Sequence, residues 1–141
     1  MTEALDAEPV RFAGYAAIFG KVDSGGDLIA PGAFADSLKR RGAAGLPLLW
    51  QHRADQPIGR IQAVGEDERG LRVIGEIGGR SAVAQRAAAL LRDGGIDGLS
   101  FGYRVIAADG HKPRRLDALD LVEVSLVTHP MQALARVHAV E

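Results

Sequence analysis

The chain contains no cysteine among its 141 residues, which excludes disulfides, a thiol nucleophile and thiolate metal ligands. Aromatic residues are scarce at 5%, so the core must be assembled from Val, Ile, Leu and Ala. Charge of either sign is not in surplus: 17 Lys and Arg face 18 Asp and Glu, a net of −1. That balance supplies no global field for nucleic acid or an anionic membrane surface. No apolar run approaches the roughly 20 residues that span a bilayer, and no basic region followed by an apolar signal core opens the chain. The expectation is a cytoplasmic protein without a membrane partner. Its histidines, His52, His111, His129 and His138, have no HExxH or similar ligand spacing. Gly78-Gly79-Arg80-Ser81 lacks the Gly-Lys-Ser or Gly-Lys-Thr ending of a phosphate loop. Asp23 and Asp27 lack the spacing and the bidentate Glu of an EF-hand. Neither a metal nor another cofactor is expected.

What is present reads as one α+β domain. A composition of 47% hydrophobic and 25% charged residues is ordinary for a globular core, and the length fits a single domain. Residues 1–9 are polar and aperiodic and read as a flexible lead-in; the domain then runs over 10–141. Strands are expected at Val10–Phe19 with a bulge at Gly14, Leu46–Trp50, Ile58–Gly65, Leu71–Ile77, Ser100–Ala107 and Leu116–Thr128. Pro57 is expected to block pairing before the third of these. A short helix carries Phe34 and Leu38 and ends on Lys39-Arg40-Arg41. The clearest helix is Ser81–Asp93, capped by Ser81, with Val83, Ala87, Leu90 and Leu91 marking one face. Met131–Val140 is either a helical turn or a short strand. Six or seven mostly sequential strands with two helices argue for a mainly antiparallel sheet, closed into a β-barrel flanked by helices. The basic clusters Lys39-Arg40-Arg41 and Lys112-Pro113-Arg114-Arg115 read as a helix end and a solvated turn.

Three stretches carry chemistry. Gly98-Leu99-Ser100-Phe101-Gly102-Tyr103-Arg104-Val105 sets one hydroxyl among glycines at the head of a strand; the same pattern also suits a strand serine beside glycines that permit a bend. Leu48-Leu49-Trp50-Gln51-His52 ends an apolar run on a histidine, which can serve as a base or simply lie on the surface. Leu121-Val122-Glu123-Val124-Ser125-Leu126-Val127 embeds a carboxylate among apolar residues, where burial without a partner is costly. Alternation places Leu121, Glu123, Ser125 and Val127 on one face of that strand. Serine, histidine and acid are the parts of a hydrolytic triad, with Asp97, Asp117 and Asp120 competing for the acid. A small-molecule esterase of the Gly-x-Ser-x-Gly type lacks its elbow here.

Taken in order, Asp23-Ser24-Gly25-Gly26-Asp27, Pro31-Gly32-Ala33-Phe34, Leu49-Trp50-Gln51-His52, Gly98-Leu99-Ser100-Phe101-Gly102-Tyr103 and Leu121-Val122-Glu123-Val124-Ser125-Leu126-Val127-Thr128-His129-Pro130 resemble the prohead maturation protease family of tailed bacteriophages. The resemblance runs from about Phe12 to Val137. It implies a serine endopeptidase with a fold like the herpesvirus assembly proteases, cutting scaffold or capsid chains, and itself, inside assembling procapsids in the bacterial cytoplasm. The family's histidine falls on His52 and its serine on Ser100. The third member falls on Glu123, with His129 a rival because the herpesvirus relatives use a second histidine. Backbone after Thr128 is the implied source of the oxyanion donors. A homo-oligomer is compatible with the resemblance, as is a non-catalytic assembly module of the same fold. Family members often carry a longer charged tail, so a chain ending at Glu141 reads as a compact or processed form.

Overall fold

The computed structural model describes residues 9–141, so the expected lead-in lies, apart from Pro9, outside the described residues. Among the described residues the chain forms β1 (Val10–Ile18), β2 (Asp27–Ile29), α1 (Ala35–Arg41), β3 (Pro47–Trp50), β4 (Arg53–Glu66), β5 (Gly70–Ile77), α2 (Ala82–Arg92), β6 (Gly98–Asp109), β7 (Arg114–Val127) and β8 (Val137–Val140). The strands join in one sheet of order β2-β7-β3-β4-β5-β1-β8, with β6 on β7. Its middle is the β4–β5 hairpin, whose turn is set by Asp67: the carboxylate accepts the backbone N–H groups of Arg69 and Gly70 at 2.8 and 3.2 Å, the local trick that makes aspartate a turn residue.

The sheet is mainly antiparallel, as expected, and its two parallel pairings matter for the site. Strand β7 receives β2 in parallel at Arg114–Leu116 and β3 in parallel at Val124–Leu126. The reason is the α1 crossover: β2 and β3 run the same way because a helix, not a hairpin turn, joins them. β2, three residues long, has no periodicity that a sequence could show. Pro57 does not stop pairing either. It lies within β4 opposite Leu49, where the register slips on both sides of Leu49, so the missing N–H falls at an irregularity. The expected bulge at Gly14 is seen toward β8, between Ala13 and Gly14, while toward β5 the slip lies between Tyr15 and Ala17. The segment Met131–Val140 ends as a strand, β8.

The sheet curls until its ends meet. Leu99 N–H donates to Ala135 at 2.9 Å, Val137 N–H to Asp97 at 2.8 Å and Tyr15 N–H to Arg136 at 3.1 Å, so residues 135–137 wedge between β1 and β6. From Ser100 onward the outer edge of β6 has no strand partner among the described residues. Both helices pack onto this curl. Ser81 caps α2 through Ala84 N–H at 3.1 Å, but the buried face is Ala84, Ala87, Ala88 and Leu91, rotated from the expected one. Alanines let the helix approach the sheet closely, leaving Val83 and Leu90 half-buried. At the start of α1, Glu66 from the end of β4 accepts the N–H groups of Gly32 and Phe34 at 2.9 and 2.8 Å. This pins the fully buried Phe34 edge-on to Phe101, ring centroids 5.2 Å apart. The basic clusters serve the fold: Arg41 donates to Leu121 O at 2.9 Å, and Arg114 holds Asp27 in a two-pronged pair at 2.9 Å.

Candidate active site

His52 stands on the shortest turn a hairpin allows. Trp50 pairs with Arg53, so Gln51 and His52 are the two loop residues, with φ of 52° and 62°. A two-residue type I′ turn demands positive φ at both positions and normally uses Asn-Gly. Holding two side-chain-bearing residues there costs on the order of 1–3 kcal/mol each, and the neighbouring strand supplies the compensation. Gln51 N–H donates to Leu126 O at 3.0 Å. The Gln51 side-chain amide clasps Thr128, donating to Oγ1 at 2.6 Å and accepting the Thr128 N–H at 3.1 Å. His52 N–H donates to Ser125 Oγ at 3.0 Å.

Glu123 and Ser125 share one face of β7, opposite to the core residues Val124 and Leu126. Glu123 is 8% exposed, and both its oxygens are engaged: Oε2 accepts from His52 Nδ1 at 2.5 Å and Oε1 accepts from Ser125 Oγ at 2.7 Å. The charge is thus buried only with partners, as its cost requires. The carboxylate sits over Gly102, its cross-strand partner; a Cβ there would come within 2.6 Å of Oε2. The contact with Glu123 raises the His52 pKa above the usual imidazole value, through the hydrogen bond first and the carboxylate's charge as well, against the opposing effect of partial burial. With Nδ1 donating to the carboxylate, the neutral ring carries its proton on Nδ1 and leaves the Nε2 lone pair open. That tautomer accepts a proton from an attacking hydroxyl.

Ser100 is directly opposite Ser125 across the β6–β7 ladder, and cross-strand partners face the same side of a sheet. Ser100 is 6% exposed and shares a cavity of about 70 Å³ with His52, the other walls including Ala16, Ile29, Leu99, Leu116 and Met131. Its Oγ has no hydrogen-bond partner among the described residues, His52 included. A hollow of about 650 Å³ by the start of α2, lined by Pro57, Arg60, Glu76 and Ser81, contains none of the three residues.

The rivals for the third position are engaged or placed elsewhere. Asp97 pairs with Arg136 at 2.8 Å, Asp117 with Arg115 at 2.6 Å, and Asp120 with Arg40 and Ser37. His129 is exposed on the loop after β7 and has no hydrogen bond or ion pair among the described residues. That loop is nevertheless firmly held. Gln132, buried, accepts from Ile18 N–H and donates to Ile18 O, both at 2.8 Å, pairing as a strand would. Asp23 folds back on its own loop through Gly25 and Asp27 N–H, and Ser24 N–H donates to Met131 O at 3.2 Å. Sequence reasoning missed Gln51, Thr128, Gln132 and the contact between Gly102 and Glu123. Only Ser125, two residues from Glu123 and so on its face, left a readable signal.

All of residues 1–141 match the family described as caudovirus prohead serine protease. The chain is 33% identical over 144 aligned positions to the prohead protease of Enterobacteria phage HK97, an alignment that covers 96% of this chain and 62% of that protein. It therefore spans less than two thirds of that relative's length. Among solved structures it is similar to varicella-zoster virus protease, with a TM-score of 0.61 at 19% identity over 93% of this chain and 64% of that one. It is also similar to the protease of Kaposi's sarcoma herpesvirus bound to a hexapeptide phosphonate inhibitor, with a TM-score of 0.60 at 13% identity over 92% and 64%. At such identities the likeness is one of fold: the curled sheet with its two helices is the herpesvirus protease fold. With family match, relative and fold in agreement, the chain belongs to the caudovirus prohead serine proteases.

Proposed function

We propose that this protein is a serine endopeptidase of prohead maturation in which Ser100 is the nucleophile, His52 the general base and Glu123 the residue that orients and charges the base. The observation that carries the reading is the 2.5 Å contact from Glu123 Oε2 to His52 Nδ1 at a cavity that also holds Ser100. The reaction requires His52 Nε2 within hydrogen-bond reach of Ser100 Oγ, a contact that tightens when substrate fills the cavity. As the Ser100 Oγ–carbonyl carbon bond forms, the hydroxyl proton moves to Nε2. As the peptide C–N bond breaks, the same proton passes to the leaving amine, and water then releases the acyl chain by the reverse relay. Glu123 stabilises the imidazolium in between.

The substrate is an extended segment of a capsid or scaffold chain, met inside the assembling procapsid in the bacterial cytoplasm. Two features support an extended peptide. The outer edge of β6 is unpaired from Ser100 onward among the described residues, so a substrate strand can add there through main-chain hydrogen bonds. The 70 Å³ cavity, lined by Ala16, Ile29, Leu99 and Leu116 but also by Asp23, Tyr103 and Gln132, has room for a small side chain next to the scissile bond. Such a site has few deep anchors, so confinement in the shell provides the effective concentration that a free peptide lacks. The experiment is co-expression with the neighbouring capsid protein, followed by intact mass of both chains. The wild type yields a truncated capsid chain, and Ser100→Ala abolishes the truncation, with a rate loss of about a thousandfold or more. Normal processing by Ser100→Ala, in cells free of other copies of the protease, overturns the proposal.

A further inference from the structure

Ser125 is fully buried on β7, two residues beyond Glu123, where it meets the turn that carries His52. Its hydroxyl does two things at once. It donates to Glu123 Oε1 at 2.7 Å and accepts the His52 backbone N–H at 3.0 Å. With the Nδ1–Oε2 contact at 2.5 Å, these bonds close a ring that runs from Ser125 through the carboxylate, the imidazole and the His52 backbone to Ser125 again. We propose that Ser125 is a positioning residue of the protease site: one hydroxyl fixes both the roll of the Glu123 carboxylate and the placement of His52, so that Oε2 faces Nδ1.

The chemistry of the parts makes the arrangement directional. A carboxylate has no donor, and a backbone N–H is no acceptor. The Ser125 proton therefore points to Glu123, and its lone pairs to His52. Oε1 is occupied, which leaves Oε2 to take the Nδ1 proton. Gly102 clears the space on the other side, since a Cβ at that position lies 2.6 Å from Oε2. A merely structural serine would satisfy the His52 N–H and have no effect on which tautomer the ring adopts. A positioning serine acts through Glu123, and this difference is measurable.

The inference rests on the protease reading above, so its test has one arm that depends on chemistry and one that does not. The first arm measures Ser100 labelling by an alkyl fluorophosphonate, in which Oγ attacks phosphorus, fluoride leaves and the proton goes to His52. Ser125→Ala is expected to slow labelling about 10- to 100-fold, less than the roughly 10²–10⁴ that a general base itself contributes. In a Glu123→Gln background the same change is expected to cause no further loss, because pairs that act as a unit are non-additive. An equal fold-loss in both backgrounds makes Ser125 structural and overturns the proposal. The second arm reads the neutral His52 ring by nitrogen NMR in the full chain. The wild type is expected to show the Nδ1–H tautomer and Ser125→Ala a mixture; an unchanged tautomer in the variant overturns the proposal. Failure of the wild type to label at Ser100 overturns the nucleophile assignment instead, and the NMR arm still decides the role of Ser125. Should Ser125→Ala not fold, Ser125→Cys keeps the volume with a weaker donor and is read by the same two arms.

Discussion

Replacing Glu123 by glutamine keeps the shape of the side chain and removes its charge, and the surroundings determine what the new amide does. Two donors converge on the carboxylate, Ser125 Oγ at 2.7 Å and His52 Nδ1 at 2.5 Å, but glutamine offers only one acceptor. If its oxygen takes the Ser125 proton, its NH₂ faces Nδ1 and forces the proton to Nε2, the wrong tautomer for a base. If the oxygen takes the Nδ1 proton, the buried Ser125 hydroxyl loses its acceptor, a cost of about 1–3 kcal/mol. Both orientations also lose the anion that stabilises the imidazolium. A comparable change in a serine protease triad lowers turnover by about 10⁴, so we expect a loss of 10³–10⁴, about 4–5.5 kcal/mol of barrier. Folding should suffer less, by about 1–3 kcal/mol, the cost of weakening hydrogen bonds to a charged group. The assay pairs capsid-chain cleavage in co-expression with urea unfolding of the purified protein. A cleavage loss under tenfold, or one that only tracks the fraction unfolded, refutes the role given to Glu123.

Three further outcomes follow from the same geometry. Because Glu123 holds the His52 pKa above its usual value, the acid limb of kcat/KM should lie above the ordinary imidazole midpoint of about 6.5. The stability linked to this pair has the opposite sign: it is fully present below about pH 6.5 and lost as pH rises through the folded pKa, so a pH series of urea midpoints and one of cleavage rates should trend oppositely across that window. Gly102→Ala places a Cβ 2.6 Å from Glu123 Oε2 and should cut cleavage at least tenfold, read by capsid processing; wild-type rates would mean that the carboxylate has room to move without consequence. Gln51→Ala keeps the φ of 52° and loses the Thr128 clasp, so it should destabilise by about 1–2 kcal/mol, whereas Gln51→Gly should cost less because glycine accepts that φ. Equal losses in urea unfolding would count against turn strain.

The elements that the sequence made legible are those whose signals are local. Ser81 before an alanine-rich run announces a helix because capping and propensity act within one turn, and β4–β5 announces itself because Asp67-Glu68-Arg69-Gly70 is turn chemistry between two apolar runs. What failed was set by distant parts of the chain. β2 exists because three residues meet Arg114–Leu116 nearly ninety positions later, and nothing within those three residues encodes the meeting. Pro57 reads as a strand stop from its missing N–H, yet the slipped register beside Leu49 accommodates it. The buried face expected for α2 is rotated because close packing on the sheet selected its alanines over the larger Val83 and Leu90.

For the site the division falls differently. Ser100, His52 and Glu123 stood out because each is a polar group set in an apolar run, and the sheet gathers all three within two neighbouring registers, Leu49 beside Ser125 and Ser125 opposite Ser100. The parts that hold them in place carried no such contrast. Gln51 is an ordinary polar residue until it is seen in a left-handed turn, held by a threonine 77 positions away. Local preference opposes that conformation: Gln-His is a poor type I′ pair, and an Asn-Gly turn would be more stable. The chain keeps it, and that choice is informative, because a histidine at the second loop position projects its ring from the tip of the hairpin while its backbone N–H stays tied to the strand bearing the carboxylate. Backbone strain retained against local preference, and compensated by side-chain bonds to one strand, is what a site built for chemistry rather than for stability should contain.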